Sequence, residues 1–235
     1  MPKATTSTVT RGRPVVVAID GPSGSGKSST ARGVARRLGL AFLDTGAMYR
    51  AATWLAVHRK VDLADTAAVA DLVRGAEMDI VLEPDAFSIS IDGTDVTKAI
   101  RAPRVSAVVS AVATNLEVRA DLVDRQKRLI AETRDGIVAE GRDITTVVAP
   151  DADIRVLLVA DPQARVARRH AEMADHADVH AITDQVIRRD RDDSTVAQFT
   201  SAAPGVHVID STEMTLNEVI AAICDLVPAA SPGTS

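Results

Sequence analysis

Residues 15–29, VVVAIDGPSGSGKSS, restrict the possible folds of this chain more than any other stretch. Val15 to Ile19 are apolar and mostly β-branched, a run too short and too branched to favour a helix, so it reads as a buried strand. Gly21, Pro22, Gly24 and Gly26 then interrupt regular structure, and Lys27-Ser28-Ser29 opens a helical pattern. Gly21, Gly26, Lys27 and Ser28 fit the spacing G-x-x-x-x-G-K-[ST] of a phosphate-binding loop, in the strand-then-helix context that this motif requires. Without Cβ atoms in the way, successive backbone N–H groups of Gly21, Pro22, Ser23, Gly24, Ser25 and Gly26 can turn inward around phosphate oxygens (proline supplying none). The following helix directs its positive end at the same anion. Lys27 adds a full charge at the β/γ-phosphates, and the Ser28 hydroxyl is placed to bind Mg²⁺. The stretch predicts a nucleoside triphosphate site that uses Gly21 to Ser29, inside an α/β fold.

Only then does composition matter. With 235 residues, 46 % of them apolar, the chain can bury one large core carrying a small insertion. A net charge of −5 and only 2 % aromatic residues argue against a nucleic-acid or acidic-membrane surface. The single cysteine, Cys224, forbids an internal disulfide and fits a reducing, cytoplasmic setting, where it reads as a small core residue. No apolar run approaches 18 residues. Residues 1–13 and 228–235 are expected to be disordered tails around a single domain over 14–227, and a monomer is expected.

Along the chain, Ala31, Val34, Ala35 and Leu38 mark one face of the first helix, with Arg32, Arg36 and Arg37 towards water and Gly39 as its stop. Leu40 to Asp44 reads as a second strand and Ala47 to His58 as a second helix; such alternation predicts a parallel sheet covered by helices. Between about residues 62 and 101 the pattern changes. A helix over Thr66 to Arg74 precedes strands at Met78 to Leu82 and Phe87 to Ile91, with Asp92-Gly93 as a hairpin turn, which predicts an inserted α+β subdomain. Pro103 to Ala113 and Leu116 to Thr133 are helical, Gly136 to Glu140, Asp153 to Ala160 and Val206 to Asp210 are strands, and Pro162 starts a helix. Thr215-Leu216-Asn217-Glu218 matches a capping box, and Leu216, Val219, Ile220 and Ile223 form the buried face of the last helix. The sum is five parallel strands with crossover helices.

A phosphate loop alone does not separate kinases, GTPases, motors and switches. The absence of an N-K-x-D stretch argues against a guanine nucleotide, and the length argues against a motor. Arg50 follows the second strand and Arg142 the third, and strand C-termini converge on the ligand crevice of a doubly wound sheet. Arginine grips phosphate with two parallel N–H groups and keeps its proton, which suits a second phosphate held in line with the γ-phosphate of ATP. Asp20, just before the loop, would either orient metal-bound water or cap the turn of that loop. His170, His176 and His180, with Asp175 and Asp178, fit a solvated acidic segment better than a metal cluster.

Five stretches now carry a family resemblance: AIDGPSGSGKSS (18–29), LDTGAMYR (43–50), IDGTDVTKAIR (91–101), VAEGRDITTVV (138–148) and RRDRDDST (188–195). Through them, collinear from Val15 to Val227, the chain resembles the cytidylate kinases, bacterial CMP/dCMP kinases of the nucleoside monophosphate kinase group. The resemblance implies transfer of the ATP γ-phosphoryl group to CMP or dCMP with Mg²⁺ bound through Ser28. It implies that Thr45, Tyr49 and Arg50 contact the acceptor's phosphate and sugar, with Arg142 as second phosphate clamp. Ser110, Arg119 and Asp143 correspond to the cytosine-reading residues, and Arg189 and Asp193 to positions near the acceptor's phosphate and ribose. Lys27, Arg142 and Arg189 would stabilise the group in flight. A carboxylate and a hydroxyl suit the exocyclic amine of cytosine, and a guanidinium suits N3 and O2; uracil would leave those groups unpaired. The segment at 62–101 corresponds to the acceptor-binding insertion, and residues 165–200 to a lid that closes against water, with Arg165, Arg168 and Arg169 as candidates on the ATP side.

One departure stands out. Where family members continue D-S-x-R-x-x-x-P-L, this chain has Asp193-Ser194-Thr195-Val196-Ala197-Gln198-Phe199, so an expected positive charge is missing and Arg188, Arg189 or Arg191 is expected to share its work. The alternatives are a kinase for another small acceptor (UMP, shikimate or dephospho-coenzyme A) and an ATP-binding regulatory protein.

Overall fold

The computed structural model of the chain describes residues 14–172 and 188–228. The expected tails at 1–13 and, beyond Pro228, at 229–235, most of the expected lid (173–187), and His176 and His180 lie outside the described residues.

Five strands form the central sheet: β1 (Val15–Asp20), β2 (Ala41–Asp44), β6 (Gly136–Gly141), β7 (Ile154–Val159) and β8 (His207–Asp210). Their order is β2-β6-β1-β7-β8, and every neighbouring pair is parallel. Because side chains alternate along a strand, β1 and β6 feed two cores at once. Val17, Ile19 and Val138 face α1 (Lys27–Leu38) and the C-terminal helix Leu216–Leu226, where they meet Val34, Phe42, Val219 and Ile223. Ala18, Ile137 and Ala139 face the other way, towards α2 (Thr45–His58) and α6 (Leu116–Glu132), packing with Leu43, Met48, Leu55 and Leu122. Burial of the β6 strand on both faces is what a central parallel strand needs.

The segment at 62–101 contains α3 (Thr66–Gly75) and a separate antiparallel sheet of β3 (Met78–Val81), β4 (Ser88–Ile91) and β5 (Thr94–Asp95). Asp92 (φ 48) and Gly93 (φ 71) make the two-residue turn that pairs Ile91 with Thr94. This segment has no core of its own. Val69, Val73, Ile89, Ile91 and Ile100 join the cluster under α2 and α6, and the amide of Phe42 in β2 donates to Leu82 O at 2.7 Å.

Several local expectations need correction. The second helix starts at Thr45, two residues early, because Asp44 already caps it by accepting from Ala47 N. The run from Pro103 splits into α4 (Pro103–Ser106) and α5 (Val109–Ala113). Arg32 is half-buried, its guanidinium lying 5.1 Å from the centre of the Phe42 ring. The capping box Thr215/Glu218 is present, and Val219 and Ile223 are buried, but Leu216 is 47 % exposed. As the first residue of its helix, it lines the cleft beside the phosphate loop instead of the core.

Candidate active site

The C-terminal ends of β1, β2 and β6 open on a cleft of about 940 Å³. Its floor is the loop between β1 and α1. Gly24 (φ 76) and Gly26 (φ 85) sit in the left-handed region, the backbone that turns loop amides inward and that a side chain at either position would strain. Ser23, Gly24, Gly26, Lys27, Ser28 and Ser29 line the cleft, while Gly21, Pro22 and Ser25 lie behind them. A Cβ on Gly21 would come 2.3 Å from Leu158 O, so the loop is packed directly on β7. Lys27 Nζ reaches Pro22 O at 3.3 Å. Burial, then the positive field of Arg142, lower its pKa to about 8, against the pull of Glu140.

Two strand ends place carboxylates beside the loop. The Ser28 hydroxyl donates to Glu140 Oε1 at 2.5 Å. Glu140 is paired in register with Asp44 on β2, and both are 2 % exposed. Burial, then the Asp44 charge, push the Glu140 carboxyl up. For Asp44 burial acts upward too, but Arg50 and Arg101 outweigh it and hold its carboxyl down. Neither acid appeared among the sequence-derived site residues. The signal was available: Glu140 is the charged residue in the strand GIVAEG, which is otherwise glycine and apolar and is buried throughout.

Asp20 caps a turn, but not that of the loop it precedes. Its Oδ1 accepts from Ile144 N at 2.8 Å, and its Oδ2 from Thr145 N at 2.8 Å and Thr145 Oγ1 at 2.6 Å. It thereby caps the wide, π-helical turn Ile144–Val148 that follows β6. Burial raises its pKa to about 6 despite those donors.

The far wall gathers the remaining expected residues. Thr45, Tyr49, Arg50, Arg119, Arg142, Asp143, Arg189 and Asp193 all line the cleft. Thr45 Oγ1 donates to Glu140 O at 2.8 Å. Arg119 pairs with Asp143, also donates to Ala113 O at 3.2 Å, and lies 5.8 Å from the centre of the Tyr49 ring. Burial pushes the Asp143 carboxyl up, opposed by Arg119, and pushes the Tyr49 phenol up to about 12. Arg142 is held on four sides: Nε to Asp193 Oδ2 at 2.7 Å, Nη1 to Gly21 O at 2.9 Å, Nη2 to Asp190 Oδ1 at 3.1 Å, and the ring of Phe199, 4.4 Å from its carbon. Asp193 Oδ1 is buried with no hydrogen-bond partner among the described residues.

Ser110 stands apart. It lines a neighbouring cavity of about 470 Å³ that shares Ser106 and Arg189 with the main cleft. Of the arginines expected to cover for Val196, Arg189 lines both cavities and Arg188 the smaller one, whereas Arg191 pairs with Asp192 at the surface. Arg165 donates to Ser23 O at 3.0 Å, on the loop itself, and Arg168 donates to Ser211 Oγ at 3.0 Å. The side chain of Arg169 is not among those described. Among the described residues no group of three or more His, Cys, Asp or Glu side chains forms a metal cluster, and no helix is long and apolar enough to cross a membrane.

The site thus pairs a phosphate loop with a guanidinium-rich wall ending in an Arg–Asp pair, an arrangement that can hold two phosphate-bearing ligands head to head. Comparison with known proteins agrees with it. The family model described as "Cytidylate kinase" matches residues 17–229. A cytidylate kinase from Cutibacterium acnes is 55 % identical over 219 residues, covering 92 % of this chain and 96 % of that protein. One from Streptomyces avermitilis is 44 % identical over 215 residues, covering 91 % and 92 %. A bifunctional pantoate ligase/cytidylate kinase from Prochlorococcus marinus is 44 % identical over 223 residues, 91 % of this chain but 43 % of that longer protein. On these grounds the chain belongs to the cytidylate kinase family.

Proposed function

We propose that this enzyme transfers the γ-phosphoryl group of ATP to CMP or dCMP, giving ADP and CDP or dCDP. One observation carries the reading most directly: the buried Arg119–Asp143 pair faces the same cleft as the phosphate loop. A guanidinium beside a carboxylate presents donors to N3 and O2 of cytosine and an acceptor to its amine; uracil, with N3–H and O4 in those places, would oppose the donor at N3 and the acceptor at the amine. Gly21 to Ser29 hold the ATP phosphates, Lys27 neutralises the β/γ-oxygens, and Arg50, Arg142 and Arg189 take the acceptor phosphate. The unpartnered Asp193 Oδ1 is an acceptor for a ribose hydroxyl, and Tyr49 forms the wall beside it. Thr45 Oγ1, committed to Glu140 O, orients that wall. We assign Ser110, on the wall of the adjoining cavity, to the edge of the base.

The residues at the loop fit Mg²⁺. Ser28 Oγ, Glu140 and the neighbouring Asp44 are hard oxygen donors, and two buried carboxylates this close favour a divalent ion between them and the phosphates. Bound there, Mg²⁺ would supply charge neutralisation at the β- and γ-phosphates. No strong base is needed, because a nucleoside monophosphate, with its second pKa near about 6, is already a nucleophilic dianion at neutral pH. What the chain must do is align the two phosphates, neutralise charge and exclude water. We assign the acceptor side to the insertion at about 62–101 and the water-excluding lid to about 165–200, in a monomer that acts in the cytoplasm.

The deciding experiment is ADP production with Mg-ATP and CMP, dCMP, UMP, AMP or no acceptor in parallel. Rapid turnover with CMP and dCMP alone is the expected result. Comparable use of UMP would overturn the assignment of Arg119 and Asp143, and the absence of acceptor-dependent turnover would overturn the kinase.

A further inference from the structure

The loop that binds ATP is tied to the rest of the site by a carboxylate that lines neither cavity. Asp190 sits in the helical turn at 188–193, and its side chain is 14 % exposed. Its Oδ1 accepts from Ser23 N at 2.9 Å and lies 3.1 Å from Arg142 Nη2. Its Oδ2 pairs with Arg165 Nη1, on α7 (Pro162–Glu172). Each guanidinium is also anchored on a loop carbonyl, Arg142 on Gly21 O at 2.9 Å and Arg165 on Ser23 O at 3.0 Å. One carboxylate therefore joins three distant pieces of chain around the third residue of the phosphate loop.

We propose that Asp190 is a positioning residue for phosphoryl transfer, pinning Arg165 against the back of the phosphate loop and holding Arg142, which lines the cleft, so that it points at the transferring group. The proposal rests on the kinase reading above. Two guanidiniums beside Lys27 repel one another, and a shared counterion is what lets them occupy the loop edge before any phosphate arrives. The negative field of Asp190 also acts on Lys27, favouring its charged form. Arg142 has five N–H groups. Nε bonds Asp193 and Nη1 bonds Gly21 O, while Nη2 faces Asp190 as an ion pair. N–H groups therefore remain for a phosphate, which takes a guanidinium in bidentate fashion. Asp190 and the Phe199 ring fix the plane in which they lie. Asp190 itself lines no part of the cleft, so it acts through the arginines.

Asp190→Asn is the informative change. The amide keeps an oxygen for Ser23 N and nearly the same volume, but loses the charge that holds the guanidiniums. The expected result is a fall in kcat with CMP of about tenfold to a hundredfold, with KM for ATP and for CMP within about threefold of wild type, because orientation is lost and ground-state binding is not. Arg165→Ala should lower kcat as well, and the double variant should be no slower than the slower single one, since both changes break one unit. A kcat within about twofold of wild type, or losses that multiply in the double variant, overturns the proposal. So does a change confined to the melting temperature, with kcat per folded molecule unaltered. Wild-type protein that makes no ADP with CMP overturns the kinase reading, and this proposal with it; normal wild-type turnover beside an unaffected Asn variant overturns this proposal alone.

Discussion

Asp143→Ala separates the two jobs of the Arg119–Asp143 pair. The side chains are 14 % and 6 % exposed, so removing the carboxylate strands a guanidinium in a place water scarcely reaches. Breaking a buried pair from one side costs about 3–5 kcal/mol. Arg119 keeps its bond to Ala113 O and its place over the Tyr49 ring, which favours the lower end, about 3 kcal/mol. For a chain of this size each kcal/mol moves the melting temperature by about 2–4 °C, so the variant should melt roughly 6–12 °C lower. Independently, losing a charged acceptor for the cytosine amine should lower kcat/KM for CMP by about tenfold to a hundredfold, while KM for ATP stays within about twofold.

Stability and recognition are then pulled apart by replacing both partners. Arg119→Met with Asp143→Leu removes both charges and keeps the volume, which should bring stability back to within about 1 kcal/mol of wild type. CMP turnover should stay low. The assays are thermal melting with and without CMP and steady-state kinetics with each nucleotide varied in turn. A double variant that melts as low as Asp143→Ala would refute the stranded-charge argument, and equal losses against ATP and CMP would refute the placement of Asp143 on the acceptor side.

Other changes test the phosphate side. Lys27→Ala should lower kcat by about a hundredfold or more without lowering the melting temperature, as read by ADP release and calorimetry; a near-normal rate would sink the loop assignment. The pKa of Lys27, lowered to about 8, gives two trends of opposite sign. The rate constant kcat/KM for ATP, which follows the free enzyme, should fall as pH rises past about 8 because the ammonium is lost. The Lys27 contribution to stability should instead rise between about pH 8 and 10.5, where the unfolded chain binds the extra proton, and Lys27→Met should abolish both trends. Glu140→Gln should raise the Mg²⁺ concentration needed for half-maximal rate by about tenfold or more while melting no lower than wild type, since it removes a buried carboxyl whose pKa burial pushes up. A magnesium titration superimposable on wild type would exclude Glu140 from the metal's surroundings.

What could be read from the sequence follows the range of the interaction concerned. The phosphate loop, the Asp92-Gly93 turn and the Thr215/Glu218 capping box were legible because each is decided within a few residues by backbone geometry or a local hydrogen bond. Leu216 was misplaced because helical periodicity says which residues share a face, not which end of that face opens on a cleft. The wide turn at Ile144–Val148 carries no local signature; Asp20 shapes it from 124 residues away. Glu140 was hidden for a similar reason. Its bond to Ser28 spans 112 residues and exists because β6 lies between β1 and β2, a strand order that no short motif encodes.

The same long-range assembly explains how an acidic chain, with a net charge of −5, builds a site for two phosphate-rich ligands. The cations of the cleft do not wait as bare charge. Asp44 faces Arg101 at 3.3 Å, Asp143 holds Arg119, and Asp190 and Asp193 hold Arg142. Each internal carboxylate weakens the attraction of its arginine for an incoming phosphate, so the arrangement spends ground-state affinity. In return, the guanidiniums have little left to reorganise when charge moves from one phosphate to the other, and an interaction already in place at that moment lowers the barrier rather than deepening the bound state. A site built of paired charges should therefore bind nucleotides modestly and turn them over fast, and losing the charge of Asp190 should slow turnover far more than it changes binding.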